Sequence, residues 1–244
     1  ISLVGTIPDY MYFMTNLAEL NGNIYFSISA FQSNPNNDHI QLWVSDGSSI
    51  HSLVNFPCMD SFGQSTLMTS FNNLVFFQGC DSVRGGELWQ SDGTVEGTLP
   101  VVETPTEMIG NPASMQVANG WLFYTVEYDD LSGALYRTLG RVGGTQFIRS
   151  FQKPPFIGGA LRGMLFFTAK NEQGIYQAWK TNGTPDWVSP IIPAGEAYTQ
   201  TTGGILPVGQ WMLFSASDAS HGHEVWMTDG NPQNTLRLTD LPVS

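Results

Sequence analysis

Short apolar runs recur along this chain, and each one follows or begins with a Gly, Asn or Gln residue. Five such runs are rich in aromatic residues: GNIYFS (22–27), NNLVFF (72–77), GWLFYT (120–125), GMLFFT (163–168) and QWMLFS (210–215). Runs of five or six apolar residues that leave a turn-forming residue predict β-strands. Because apolar residues fill both faces of each strand, we expect neighbouring sheets to cover both sides.

A second pattern follows each apolar run. It reads LWVSDG (42–47), LWQSDG (88–93), LYRTLG (135–140), AWKTNG (178–183) and VWMTDG (225–230). Its aromatic residues are separated by 46, 47, 43 and 47 residues, and a period in this range indicates repeated supersecondary units. Within each phrase, an apolar strand leads into Ser/Thr-Asp-Gly or a variant of it. This order predicts a hairpin turn, in which glycine takes a positive φ and the Asp side chain bonds the turn backbone.

Each repeat is predicted to hold four strands: a variable strand, the aromatic strand, the Trp-bearing strand and a closing strand. No segment places apolar residues at helical spacing, and 26 glycines and 14 prolines separate the runs. The chain is therefore predicted to be all-β, a five-bladed β-propeller in which each blade is a four-stranded antiparallel sheet. We assign residues 1–244 to one domain with five repeats, approximately 8–56, 57–104, 105–151, 152–194 and 195–244.

The segment at residues 1–7, ISLVGTI, reads as a sixth closing strand for five blades. It could clasp the last blade, or the chain could be a slice of a longer array. A spare strand could also complete the sheet of a neighbouring molecule. Since the chain begins without Met and without the layout of a signal peptide, we expect a processed or trimmed protein.

Composition restricts the partners and the compartment. Charged residues make up 12% of the chain, about half the usual share, and the net charge is −12. This charge repels phosphate backbones, so we expect no nucleic acid partner. No stretch approaches the ~20 apolar residues that a membrane span requires. A surface rich in uncharged polar residues favours a secreted or cell-surface protein.

The two cysteines, Cys58 and Cys80, lie 22 residues apart without CxxC spacing. This spacing supports neither a zinc site nor a redox motif. We expect a disulfide, and two buried free thiols are the alternative. In the predicted blade both residues fall on the same side, one before the first strand and one after the second.

With this phrase, period and strand order, the chain resembles the bacterial ELWxxDGT-repeat proteins, which are large and secreted or surface-attached. The resemblance covers essentially the whole chain and is strongest in RGGELWQSDGTVEGTLPVV (84–102) and SHGHEVWMTDG (220–230). The third and fourth repeats depart from the family phrase. The resemblance implies a repeat propeller in an extracellular setting, commonly beside adhesion-type domains, and it implies no catalytic set.

The loops between the second and third strands are the most varied and polar segments, and in a propeller they emerge on one face. Carboxylates and hydroxyls beside aromatic residues there suit sugar hydroxyls, although a solvated acidic face without a ligand would look the same. The candidate ligand-binding residues are Asp38, Asp81, Arg84, Asp129, Asp130, Glu172, Asp218 and His221.

The sequence His221-Gly-His223, with Asp218 nearby, raises the question of a metal site. A structural zinc site needs four ligands, so we favour a solvated or turn-stabilising role and expect no metal. We expect no cofactor, with a bound calcium ion as the alternative.

Catalysis is poorly supported by the sequence. The predicted innermost strands at 65–71, 113–119, 158–163 and 203–209 contain no acid, and no GxSxG stretch occurs. We therefore expect a non-enzyme, namely an extracellular binding or adhesion module that recognises glycans through loops on one propeller face. Its partners would be a glycan or a cell-surface protein. One alternative is a structural subunit that assembles with copies or flanking domains through the surplus strand. The other is a glycoside-directed enzyme.

Overall fold

The structure is a computed structural model, and it describes residues 11–31, 39–56, 67–81, 85–101, 110–141, 143–185, 187–193, 198–218 and 220–241. Within these ranges the backbone is organised as β-strands, with a single 3₁₀ turn at Pro232–Asn234. In the same ranges no helix has the length and apolar character to cross a bilayer. The chain divides into two compact units, residues 1–112 with 140–145 and residues 113–139 with 146–244.

The first unit contains two four-stranded sheets. The first sheet consists of β1 (Met11–Leu20), β2 (Asn23–Phe31), β3 (His39–Ser45) and β4 (Ile50–Phe56). The second sheet consists of β5 (Met68–Phe71), β6 (Leu74–Asp81), β7 (Gly85–Ser91) and β8 (Leu99–Pro100).

Three further sheets follow, and the second unit holds them from residue 113 onward. The third sheet consists of β9 (Gly110–Ala118), β10 (Trp121–Tyr128), β11 (Gly133–Thr138) and β12 (Gln146–Phe151). The fourth consists of β13 (Phe156–Leu161), β14 (Met164–Lys170), β15 (Tyr176–Thr181) and β16 (Val188–Pro190). The fifth consists of β17 (Tyr198–Val208), β18 (Trp211–Asp218), β19 (His223–Thr228) and β20 (Leu236–Arg237).

Every sheet has the same topology, in which each strand pairs antiparallel with the next strand along the chain. The predicted all-β fold with four-stranded antiparallel sheets is therefore confirmed. The apolar runs form the second strands, and the Trp-bearing phrases form the third strands. Tight turns join first to second strands, and Asn21, Asn72 and Asn119 adopt φ values of 54°, 51° and 49° there. Asparagine tolerates this left-handed backbone better than most residues, which explains its recurrence before the apolar runs.

The register places each phrase aromatic directly opposite an aromatic residue of the second strand. Phe167 pairs with Trp179, Phe214 with Trp226 and Tyr124 with Tyr136. These three ring pairs are stacked, with centroids 6.5, 6.5 and 5.5 Å apart. Each such cross-strand pair stabilises its sheet by about 0.2–1 kcal/mol relative to two alanines.

Burial of the second strands differs between sheets. Five consecutive residues of β10, from Leu122 to Val126, are buried, so both faces of this strand are covered. The same is true of β14 from Leu165 to Ala169. In β18 buried and half-buried residues alternate instead. The expectation of cover on both sides is therefore confirmed for β10 and β14, whereas one face of β18 is only partly covered.

The recurring phrase forms the predicted turn. Its aspartate or asparagine accepts a hydrogen bond from the backbone N–H two residues later, at 2.8–2.9 Å, in four repeats: Asp46, Asp92, Asn182 and Asp229. The residue before it accepts from the phrase glycine N–H at 2.9–3.1 Å: Ser45, Ser91, Thr181 and Thr228. The N–H groups of Ser48 and Ser49 lower the pKa of Asp46 to about 2. The phrase is therefore a structural element of each sheet.

The phrase glycine also sets how one sheet packs on the next. Within one unit it faces an aromatic ring from the second strand of the preceding sheet in three repeats: Gly93 with Tyr25, Gly183 with Phe123 and Gly230 with Phe166. Gly140 faces the Phe76 ring, which belongs to the same unit as Gly140. A methyl group at any of these glycines would crowd the ring. Gly47 of the first sheet has no such neighbour within 4 Å. The glycine thus answers a packing requirement in addition to its backbone requirement.

Two predictions fall outside the described residues. The closing strand at 1–7 is one, and the pairing of Cys58 with Cys80 is the other because it depends on Cys58. Both stay predictions. Cys80 itself is buried among the apolar residues of the first unit.

Candidate functional site

Three loops that follow second strands are closed by a side-chain oxygen. Asp130 accepts hydrogen bonds from the N–H and the hydroxyl of Ser132, at 2.9 and 2.6 Å. Asn171 accepts from the N–H groups of Gln173 and Ile175, both at 3.0 Å. Asp218 accepts from the N–H groups of Ser220 and His221, at 2.8 and 2.7 Å. These acceptors fix the loop backbone, which is a common role for short polar side chains at turns.

The most extensive polar cluster lies around Asp218, at the end of β18, whose carboxylate is fully covered. His221 Nδ1 lies 2.8 and 3.0 Å from its two oxygens, and Arg237 Nη1 lies 3.2 Å from Oδ2. Burial raises the pKa of Asp218, but the N–H groups of Ser220 and His221 and the imidazole of His221 outweigh burial and lower it. The carboxylate is therefore held in its charged form.

A second buried carboxylate, Glu224 on β19, ties down the residues after β20. It accepts hydrogen bonds from the Thr239 hydroxyl and from the Leu241 N–H, the latter at 2.8 Å. Thr239 Oγ1 in turn accepts from the Val225 N–H at 2.9 Å. The Thr239 hydroxyl lowers the pKa of Glu224; burial opposes it, while the Leu241 N–H, Arg237 and His221 act in the same direction. This carboxylate holds the chain after Leu238, whose own N–H still donates to the backbone carbonyl of Val225 at 2.7 Å.

The cluster is built for structure more than for bond cleavage. On the far side of His221, Nε2 lies 3.6 Å from the exposed carboxylate of Asp240. A histidine that activates a nucleophile holds a hydroxyl or thiol at that nitrogen and a carboxylate at the other. Here the ring lies between two carboxylates, and this arrangement cross-links β18 to the segment after β20.

A metal centre is not formed by the part of the chain that the structure describes, where no three His, Cys, Asp or Glu side chains are grouped closely enough. His221 lies in the bend before β19, bonded to Asp218. His223 is the exposed first residue of β19. The hydrogen bond from His221 to Asp218 agrees with the turn-stabilising role that we favoured over metal binding.

The predicted ligand-binding residues do not form one site. Asp38 and Arg84 lie outside the described residues, and Asp81 is the last residue of β6. Asp129 and Glu172 are exposed. Among the candidates that the structure describes, Asp218 and His221 are brought together.

Sequence reasoning missed Glu224, Arg237, Thr239 and Asp240, which complete the cluster. Arg237 and Asp240 are 19 and 22 residues from Asp218, so only the pairing of β19 with β20 brings them close. One signal was available, because Glu224 is an acid in the apolar Trp-bearing strand, two residues before Trp226. A buried acid in such a strand requires donors from elsewhere in the chain.

Solved structures are similar to this chain over most of its length. Puromycin hydrolase matches with a TM-score of 0.61 and 16% identity, over 96% of this chain and 39% of that one. A mutant of puromycin hydrolase complexed with PGG matches with a TM-score of 0.59 and 14% identity, over 93% and 37%. TolB from Acinetobacter baumannii matches with a TM-score of 0.49 and 11% identity, over 94% and 55%. The likeness to the hydrolase shows a β-propeller-like all-β fold, and this chain spans less than two fifths of each puromycin hydrolase chain.

No family model and no curated protein matches the sequence. The solved structures correct the predicted function, because structures of a hydrolase are among those similar to this chain. The prediction of a glycan-binding or adhesion module is therefore wrong, whereas the expectation of a non-enzyme stays a prediction. In addition, the loop carboxylates of Asp130 and Asp218 bond their own loops.

Proposed function

We propose that this chain is the propeller part of a hydrolase-type enzyme and contributes substrate contacts without the bond-cleaving groups. The observation that supports this proposal is the pattern of coverage. Nearly all of this chain, 93–96%, aligns with 37–39% of puromycin hydrolase. More than three fifths of the puromycin hydrolase chain therefore lies outside the part that aligns with this chain. This proposal is nearer to the enzyme alternative than to the binding module expected from the sequence.

The polar side chains that the structure describes favour a role in substrate contacts over a role in bond cleavage. Its best candidate for acid–base work, the pair Asp218 and His221, is held between Arg237 and Asp240 as a structural cross-link. A hydrolytic site needs a nucleophile, a base and donors for the developing oxyanion in one place. We therefore propose that the chain by itself does not turn over substrate.

We further propose that the five sheets are the five blades of a propeller, as the phrase count predicts. The repeated contact between a phrase glycine and the ring of the preceding sheet supports this, because it recurs within each of the two units. Membership of the ELWxxDGT-repeat proteins and an extracellular location remain proposals that rest on the phrase and on the polar composition.

The test compares residues 1–244 with the longest natural polypeptide that contains them. Both are assayed for release of chromophore from aminoacyl and peptidyl anilides and for labelling by a fluorophosphonate probe. We expect turnover and labelling in the long form only, and we expect a fragment without residues 1–244 to show altered KM for peptidyl substrates. Turnover by the 244-residue chain would refute its non-catalytic role. Absence of hydrolase activity in the long form on this panel would refute the proposed function.

A further inference from the structure

A cavity of about 170 Å³ lies within the second unit, between the end of β12 and the loop that follows β14. At ~30 Å³ per water molecule it has room for roughly five or six waters, or for one small organic group. The loop that borders it belongs to the set from which ligand-binding residues were predicted. Six of the side chains that line the cavity are those of Arg149, Phe151, Gln152, Lys170, Glu172 and Trp179.

Two cations line this cavity. The Arg149 guanidinium lies over the rings of Trp179 and Phe151, 5.1 and 5.7 Å from their centroids. The Lys170 ammonium lies 5.3 Å from the centroid of the Tyr176 ring. Neither has a carboxylate within ion-pair distance among the residues that the structure describes. Two cations without acidic partners are notable in a chain with nine Lys and Arg residues and a net charge of −12.

Among the residues that the structure describes, Arg149 uses little of its hydrogen-bonding capacity. Its Nη1 donates one long hydrogen bond to the carbonyl oxygen of Val188, at 3.5 Å, where a hydrogen bond is weak. A guanidinium has five N–H donors in a planar fork that fits a carboxylate with two parallel hydrogen bonds. The ring contacts hold this fork in place in advance, which reduces the entropy lost on binding.

The aromatic rings of Phe151 and Trp179 form an apolar part of the cavity wall. Phe151 and Trp179 are buried and meet edge to face, with centroids 6.0 Å apart. The Trp179 indole N–H already donates to the carbonyl oxygen of Ala169 at 3.1 Å, so its ring is fixed. Gln152 Nε2 donates to the backbone carbonyl of Glu172 at 3.3 Å and links the two borders of the cavity. The Glu172 side chain is exposed, so water screens its charge more than it screens charges near the rings.

We propose that this cavity binds a small carboxylate, with the anionic group at Arg149 and Lys170 and a flat apolar group against Phe151 and Trp179. Two sources offer this chemistry, the free C-terminus of a peptide with an aromatic last residue and a free aromatic acid. The inference rests on the cavity alone and does not depend on the proposed function.

The test measures binding to the purified chain by calorimetry, with the Trp179 indole signal in a ¹H–¹⁵N spectrum as a local reporter. The probes are N-acetyl-phenylalanine, its amide, the peptide acetyl-Gly-Gly-Phe with a free C-terminus, and benzoate. We expect both acyl-phenylalanine acids to bind at least about tenfold more tightly than the amide, because the amide lacks the charge. Tighter binding of the peptide than of benzoate assigns the site to peptide termini, and the reverse order assigns it to free acids.

Substitutions then locate the site. Arg149→Gln and Lys170→Gln should each weaken acid binding about tenfold. Arg149→Lys, which keeps the charge and loses the fork, should fall between Arg149→Gln and the parent chain. Arg141→Gln, at an exposed turn, is the matched control and should bind as the parent does. Equal binding of acid and amide, no binding at millimolar concentration, or undiminished binding by Arg149→Gln with a native spectrum would each overturn the proposal.

Discussion

The contact between Gly183 and Phe123 offers a direct test of how the phrase determines packing. Gly183 adopts a φ of +94°, and a Cβ atom placed on it would lie 2.7 Å from Cζ of Phe123 and 2.9 Å from Arg137 Nη1. The arginine is half-buried at the edge and can move, but the Phe123 ring is fully buried. Gly183→Ala should therefore force the ring or the turn to shift.

The magnitude follows from two contributions. An alanine in the left-handed region costs about 1 kcal/mol relative to glycine. Overpacking a buried contact by one methyl group costs about 1–3 kcal/mol more. Gly183→Ala should thus lower the free energy of unfolding by about 2–4 kcal/mol. Gly47→Ala is the matched control, since Gly47 occupies the same phrase position at a φ of +85° with nothing within 4 Å. It should incur the backbone cost of about 1 kcal/mol alone.

The assay is urea unfolding followed by tryptophan fluorescence, with a double-mutant cycle that adds Phe123→Leu. Leucine lacks the Cζ atom that the new methyl group would meet, so the second substitution should cost less in the Gly183→Ala background than in the parent chain. The Gly183→Ala protein should also melt roughly 2–10 °C below the Gly47→Ala protein. Equal destabilisation by the two glycine substitutions, or strictly additive effects in the cycle, would refute this account of the packing.

Three further outcomes are expected. Thr228→Val and Thr235→Val break a buried hydroxyl pair 2.7 Å apart, so each should cost about 1–2 kcal/mol in urea unfolding and the double variant less than the sum. Asp218 has a lowered pKa in the folded state, so its contribution to stability is present above about pH 4 and is lost as pH falls through the lowered value. Asp218→Asn should therefore melt lower at pH 7 and show a shallower fall between about pH 4 and pH 2; parallel melting curves would contradict this. Trp179→Phe leaves the carbonyl of Ala169 without its indole donor at 3.1 Å and should cost about 1–3 kcal/mol, whereas Trp187→Phe, at a partly exposed ring, should change stability by less than about 0.5 kcal/mol.

Much of the fold could be predicted because its determinants are local. The aromatic runs became second strands and the Trp-bearing phrases became third strands, since a strand and a tight turn depend on residues close together in sequence. The closing strands were less predictable. β8 and β20 are each two residues long. After Leu238, whose N–H still donates to the Val225 carbonyl at 2.7 Å, hydrogen bonds to Glu224 hold the chain.

The candidate site was far less predictable. Asp130, Asp218 and His221 were chosen because polar loop residues often bind ligands, and the structure shows them bonded to their own loops. Composition cannot distinguish an acid that faces solvent from one that closes a turn, because both are short polar side chains beside glycine or serine. Arg149, which we propose as a ligand-binding residue, lies on the closing strand β12 and is not among the residues that the sequence pattern predicts to bind a ligand.

The sequence by itself determined the repeat, the strand order within each sheet and the chemistry of the phrase turn. These features depend on alternation, turn residues and spacing, all of which can be read within one repeat. Two other features depend on tertiary packing. One is the contact between the phrase glycine and an aromatic ring, and the other is the pair of hydrogen bonds that Glu224 accepts from the segment after β20. Tertiary packing also places Arg149 and Lys170 along one cavity, where neither forms an ion pair with a described carboxylate. Such contacts join residues 15 to 68 positions apart, and their partners are fixed by how strands and sheets pack, which no single repeat encodes.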